Sequence, residues 1–422
     1  MMNGARRSSD RRPSSWFSGI VLGLIVAATG VGAGDLITAS LAGSKIGLAI
    51  LWAALAGAVL KWVLNEGIAR WQMATSTTLL EGWVAHLGGL VHWTFFAYFL
   101  VWSFAVAGAL INACGVAGAG LMPVGDPGTS RIIWGIIHSA VGLALVWAGG
   151  FRAFQYIMSV LVVLMVGAVL LTVILVSPDW AAVAKGLFVP GIPHGATGWM
   201  LAVLGGVGGT VTLLCYSYWI REKGRSGREG VRKSRFDLSV AYALTAFFGV
   251  AMVIIGSRIR VEGRGDTVAL ILADQLAQAL GPSGRWVFLL GFWGAVFSSL
   301  LGVWQGVPYM FADLVHLRRK ATRKDITAVD LGRTREYRFY LLALAVVPMT
   351  LLWFKVQEVQ LVYGIVGAFF MPFVAVTLLV LNNRVGLVGR EFRNSWLVNF
   401  LLGITLAFFA YVGIKELIGL AR

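Results

Sequence analysis

The sequence predicts an all-α integral membrane protein with eleven transmembrane helices, and three observations carry that reading. Of 422 residues, 58% are hydrophobic and only 13% are Asp, Glu, Lys or Arg, with a mean hydropathy of +0.80. Soluble domains carry about 25% charged residues, so this chain has too little charge to cover a soluble surface. Charge-free stretches recur at lengths suited to a hydrocarbon core of about 30 Å, where unpaired backbone is not tolerated. Finally, 24 of the 35 Lys and Arg gather on one side of those stretches.

Taken in order, the spans fall near 17–43 (interrupted), 46–70, 87–113, 131–148, 154–176, 197–220, 237–256, 286–311, 338–354, 358–382 and 394–416. Residues 1–16 read as a charged tail before the first span. The apolar run that follows is too long for a signal peptide. Within 82–125, Gly115, Gly118, Gly120 and Pro123 are expected to end the third helix well before Asp126. The ninth span is short. Segment 264–281, "RGDTVALILADQLAQALG", reads as an amphipathic surface helix and not as a span.

This arrangement puts 24 of the 35 basic residues on the side of the N-terminus. Four are in the tail, two are Arg70 and Arg152, seven lie in 221–235, eight in 318–338 and three in 384–393. Short basic loops face the cytoplasm. The N-terminus is therefore expected inside, the C-terminus outside, and the chain in the cell membrane. The net charge of +16 then reflects loops that meet anionic lipid, not a surface for nucleic acid.

Two cysteines exclude a disulfide scaffold, and there is no CxxC pair for zinc. There is also no HExxH, GxSxG or Walker loop, so neither an enzyme nor a resident cofactor is expected. Any active transport by this chain would draw on an ion gradient.

An internal echo organises the spans. "TGVGAGDLIT" (29–38) and "GGVGGTVTLL" (205–214) place dense glycine in the middle of the first and sixth spans. Copies five spans apart enter the membrane from opposite faces, as in inverted-repeat carriers whose broken helices supply a midplane site. The repeats are expected at 17–176 and 197–382, with 394–416 as an extra helix. Close helix packing is the plainer reading of either glycine run alone.

Four ionisable side chains are expected inside the hydrocarbon layer: Asp35, Lys61, Glu66 and His138. A charge at that depth is costly unless paired or hydrated. Asp35 follows the first glycine run, where a carboxylate adds a hard oxygen to unwound carbonyls or caps the second half of the helix. Thr38 offers a hydroxyl one turn on. Glu66 and Arg70 are spaced i,i+4 for an ion pair or a gate, with proton relay as the alternative. Lys61 reaches Asn65 on its own face, and its acid partner would lie on another helix. His138 is open to proton exchange or to a satisfied buried role. On the sixth span Thr212, Cys215 and Tyr216 follow the glycines, with Cys215 either a ligand or a small hydrophobe. The eighth span carries Ser298, Ser299 and Gln305, and the tenth opens near Gln360.

The stretch "GDLITASLAGSKIGLAILWAALAGAVLKWVLNEGIARWQMATSTTLLEGW" (34–83), with "GAVFSSLLGVWQG" (294–306) and "LVYGIVGAFFMPFVAVTLLVLNN" (361–383), resembles the natural resistance-associated macrophage protein (Nramp) family. The likeness covers roughly 19–416. It implies eleven or twelve spans, the five-plus-five inverted repeat shared with LeuT-type carriers, and symport of divalent metal with protons. The family's Asp-Pro-Gly-Asn motif falls on Gly32, Ala33, Gly34 and Asp35, so the carboxylate is displaced by three residues. Its Met-Pro-His motif falls on Thr212, Leu213 and Leu214, so thioether and imidazole are both absent. The site the resemblance implies is Asp35, Thr38, Thr212 and the carbonyls of Val31 and Gly209. An all-oxygen set favours magnesium, manganese or calcium over softer metals. Two alternatives stand beside a metal carrier: a LeuT-type carrier of a small organic solute walled by Tyr216, Tyr218 and Trp219, and a non-transporting sensor or channel.

The topology is directly testable. Single cysteines at Ser226 and Ser283 should label from opposite faces of the membrane, whereas labelling of both from one face would reject the eleven-span arrangement.

Overall fold

The computed structural model describes residues 16–148, 151–258, 271, 273, 274, 282–322 and 331–420. The tail 1–15 and nearly all of segment 264–281 lie outside the described residues, which contain helices and turns and no strand. Each of the eleven expected spans falls on helix. Nine described stretches are long and apolar enough to cross a membrane, and Trp396–Val412 is a shorter apolar helix.

Helix α1 (Trp16–Gly30) stops at the first glycine run. Only Val31 and Gly32 leave helical geometry, because a π-type turn over Gly34–Thr38 resumes the helix at once. Helix α2 (Ala39–Ile46) continues it and ends at Gly47, whose φ of 77° suits glycine alone. That cap delays the second span, so α3 (Leu51–Thr75) starts five residues later than expected. The short α4 (Leu79–His86) begins with a reciprocal capping box between Thr78 and Glu81.

The third span is longer than the sequence suggests. Helix α5 (Gly89–Leu121) runs straight through Gly115, Gly118 and Gly120. These glycines act in packing and do not break the helix: a Cβ on Gly115 would strike the Arg131 carbonyl, and one on Gly118 would strike Trp134. Both partners belong to α6 (Pro127–Ala148). After α7 (Phe151–Val176) comes α8 (Trp180–Phe188), capped by Asp179 Oδ1, which accepts from the N–H groups of Ala181 and Ala182.

The sixth span is broken as expected. Helix α9 (Thr197–Gly206) ends, residues 207–210 are irregular, and a 3₁₀ turn over Val211–Leu214 leads into α10 (Cys215–Glu222). Gly208 and Gly209 hold φ of 78° and 69°, a region other residues rarely enter. The remaining helices are α11 (Gly227–Gly256), α12 (Pro282–Thr322), α13 (Arg335–Val346) with a 3₁₀ extension to Trp353, α14 (Val356–Ala368), α15 (Phe370–Leu381), α16 (Val385–Val388) and α17 (Trp396–Leu420).

The broken helices occupy the centre. In its most apolar stretch Thr197–Glu222 is 89% buried, against 28% for Pro127–Ala148 at the periphery. Packing recurs at matching positions: α1 lies on α7 as α9 lies on α14, and α5 lies on α6 as α12 lies on α13. Helices α3 and α11 pack on one another, α11 also on α1 and α3 also on α9.

Where the breaks meet, backbone touches backbone. A Cβ on Gly34 would overlap the Gly206 peptide, and one on Gly30 would press on Gly208. Gly34→Ala should therefore destabilise the protein by about 1–3 kcal/mol, as overpacking does. Gly198→Ala, whose new methyl would meet nothing closer than Leu361 Cδ1 at 3.9 Å, should not destabilise. Thermal unfolding of the two variants in detergent checks the contrast.

Candidate functional site

The two breaks release backbone groups in a region closed to water. On the first, Val31 N–H still donates to the Ala27 carbonyl (2.7 Å). Beyond it, the Ala28 and Thr29 carbonyls accept from the hydroxyls of Ser298 (3.2 Å) and Ser299 (2.7 Å) on α12. These serines, noticed in the sequence only as polar residues in an apolar span, complete the end of α1.

Asp35 is fully buried. Its Oδ2 accepts from Gly32 N–H (3.3 Å) within its own break and from Gly208 N–H (3.1 Å) across the other. Its Oδ1 is buried without a hydrogen-bond partner. One oxygen thus caps and joins the two breaks, and the other remains available.

Lys61, reaching in from α3, finds carbonyls and not the carboxylate contact its position suggested. Its ammonium donates to Gly205 O (3.0 Å) and to Val207 O. The opposite charges of Asp35 and Lys61 act on one another through the junction.

Thr38 and Gln360 come together beside Asp35's turn. The Thr38 hydroxyl lies 3.3 Å from Gln360 Oε1 and 3.4 Å from the Ala33 carbonyl, while Gln360 Nε2 donates to the Ala109 carbonyl (2.9 Å). Next to them the Thr210 hydroxyl accepts from Trp102 Nε1 (2.8 Å), a pairing with no signal in the sequence. Thr212 faces elsewhere. With Thr29, Gly30, Asn65, Gly208 and Tyr242 it lines a small pocket of about 10 Å³ whose walls do not include Asp35. Gly209 packs against Thr212, and Val31 is buried at the kink. Among the described residues no three His, Cys, Asp or Glu side chains converge into a metal cage. What the junction offers is one carboxylate among hydroxyl, amide and carbonyl oxygens.

A family model described as natural resistance-associated macrophage protein-like matches residues 23–419. The chain belongs to the Nramp family. Its members are membrane transporters and not enzymes. The chain is 24% identical over 347 residues to a divalent metal cation transporter, MntH, of Chromohalobacter salexigens, with 76% of this chain and 78% of that one covered. Among solved structures it resembles the Eremococcus coleocola manganese transporter in complex with an aromatic bis-isothiourea substituted compound. There the TM-score is 0.68 and the identity 17%, over 96% of this chain and 88% of that one. MhsT in complex with L-phenylalanine follows at a TM-score of 0.57 and 17% identity, over 93% and 98%. At such identities the structures establish the fold, which is the LeuT-type arrangement expected from the sequence.

Within this Nramp chain the motif positions have been rebuilt. At Gly32, where the resemblance puts the family's ligand carboxylate, a Cβ would run into the Ser299 side chain. That place is filled, and the charge sits one turn on at Asp35.

More ionisable groups are buried than the four the spans suggested. Arg70, Arg131, Asp237 and Asp313 are each at most 3% exposed, because helix ends extend past the charge-free runs. Most of them belong to networks on the face that carries the basic loops. Glu66 accepts from Arg70 Nε (2.8 Å) and Arg235 Nε (2.9 Å). Arg70 also donates to the Phe392 carbonyl (3.1 Å) and to Asn394 Oδ1 (2.8 Å). Asp313 accepts from Thr78 (3.2 Å) and Tyr218 (2.9 Å), and Arg225 pairs with Asp237. The lone acid in "PYMFADLV" was the available signal for Asp313.

The other singled-out residues are engaged in packing. The His138 ring accepts at Nε2 from Trp293 Nε1 (2.7 Å) and donates from Nδ1 to the Trp134 carbonyl (2.7 Å), so both nitrogens are satisfied in the neutral ring. Cys215 is buried against Gly306, Tyr216 is buried beside Asp237, and Gln305 Oε1 accepts from Trp219 Nε1 (2.9 Å).

Glu66 holds two arginines at once, so Glu66→Ala leaves a buried guanidinium without its acid. Loss of about 3 kcal/mol is expected. Glu229→Ala, at the exposed Lys233 pair, should leave stability unchanged. Unfolding midpoints of the two variants measure the difference.

Proposed function

We propose that this Nramp-family chain moves a hard divalent cation across the cell membrane by alternating access, with Asp35 as its one charged ligand. The observation that carries the reading is the unpartnered Asp35 Oδ1, buried where the two helix breaks touch. Thr38, Gln360 Oε1 and the carbonyls of Val31 and Gly209 supply further oxygens around that junction, and Thr212 stands on the path beyond it. No methionine lies between Met200 and Met252, so the sixth span offers no thioether, and oxygen donors favour magnesium, manganese or calcium. The names of the MntH relative and the manganese transporter support a divalent metal as cargo.

The repeats 17–176 and 197–382 would rock against each other about this junction, with α17 outside both. The charge bias supports a cytoplasmic N-terminus and an external C-terminus. The Glu66, Asp237 and Asp313 networks then close the cytoplasmic face. The organic-solute alternative has less support. Tyr218 and Trp219 are engaged with Asp313 and Gln305, and the pocket of about 10 Å³ by the breaks is far smaller than the roughly 300 Å³ at which solute pockets begin.

Asp35→Ala should abolish divalent-cation binding. Asp35→Asn should weaken it by more than about 100-fold, beyond the range of groups that merely support a ligand. Calorimetry and manganese or magnesium uptake into proteoliposomes read both effects. Unchanged uptake in Asp35→Ala would end the assignment.

A further inference from the structure

Breaking α9 frees the carbonyls of Gly205 and Val207 toward the middle of the protein, and one group takes both of them. That group is the ammonium of Lys61, a fully buried residue of α3. Among the described residues, the opposite charge acting on it is that of Asp35. Freed carbonyls at the end of a broken helix are the groups with which such carriers hold a sodium ion, and the nearby carboxylate adds a matching negative charge. Here the position is filled by a side chain.

We propose that Lys61 is a tethered cation, standing where the junction would otherwise require a dissociable monovalent ion. The stem of Lys61 runs along Gly208, and Gly208 N–H donates to Asp35, so the ammonium is fixed against the segment that carries the carboxylate across the breaks. With the charge built in, the junction is electrically balanced before any cargo arrives. A buried carboxylate without such a partner is strongly destabilised, and at this depth no bulk water can substitute. Lys61 also repels a dication approaching Asp35, so it sets how tightly cargo is held. That last point rests on the proposed metal site, whereas the tethered-cation role does not.

The test uses the purified full chain in detergent and follows thermal unfolding in chloride salts of choline, lithium, sodium and potassium. Wild type should unfold at one temperature in all four. Lys61→Met removes charge and donors together. It should unfold lower in choline and recover by several degrees, saturably, in sodium or lithium, as a bound ligand requires. Lys61→Gln keeps a donor for the carbonyls but not the charge, and should show the same ion dependence. If Lys61→Gln matches wild type in choline, hydrogen bonding suffices and the proposal is overturned. It is overturned equally if the variants fold and no alkali ion stabilises them, or if they fail to fold in every salt. A saturable sodium effect on wild type that Asp35→Asn abolishes would also overturn it, because the position would then be open. None of these readings uses divalent transport, so loss of the metal assignment would leave the result intact.

Discussion

A helix interrupted inside a membrane leaves amide and carbonyl groups that no solvent reaches, and each must find a partner in the protein. Most of the central architecture here follows from that requirement. Ser298 and Ser299 serve the end of α1. Asp35 serves the amides of Gly32 and Gly208, and Lys61 serves the carbonyls at the end of α9. Apart from the Asp35–Gly32 contact within one break, the partners come from the other break or from unbroken helices, so the two interruptions are stabilised jointly. Neither would persist alone.

Glycine makes this mutual arrangement possible in two different ways. Gly208 and Gly209 provide backbone angles that turn the chain out of α9, while Gly34 and Gly206 allow peptide planes to meet with nothing between them. Close approach puts a charge on one break within hydrogen-bonding range of an amide on the other. Asp35 can therefore act both as a structural cap and as a point of negative potential. In the proposed reading, such a residue would couple the geometry of the junction to the cation it binds.

Fold class, the order of spans and the two broken helices were legible in the sequence, because hydropathy and glycine spacing report directly on membrane depth and helix continuity. Asp35 stood out for the same reason: a carboxylate after a glycine run in an apolar segment has few plausible roles. Glycine was misleading in α5, where Gly115 and Gly118 make room for α6 without ending the helix. Whether a glycine breaks or packs depends on the neighbour, which one span cannot reveal. The docking of Lys61 on Gly205 and Val207 was hidden because its partners are backbone atoms, which carry no residue signature. Asp237 and Asp313 were missed because charge-free runs underestimate helix length at the basic ends.

The attachment of the last helix has a further consequence. Arg70 on α3 binds the Phe392 carbonyl and Asn394, and Asn382 Nδ2 donates to the Gly67 carbonyl (2.9 Å). The segment leading into α17 is thereby laced to the same turn that presents Glu66 to Arg235. Helix α17 is thus tied through α3 to the Glu66 network on the basic face. Any tilt of α3 must either drag that segment with it or break three hydrogen bonds. If the repeats rock as proposed, the eleventh span would act as a strut and not as an inert appendage.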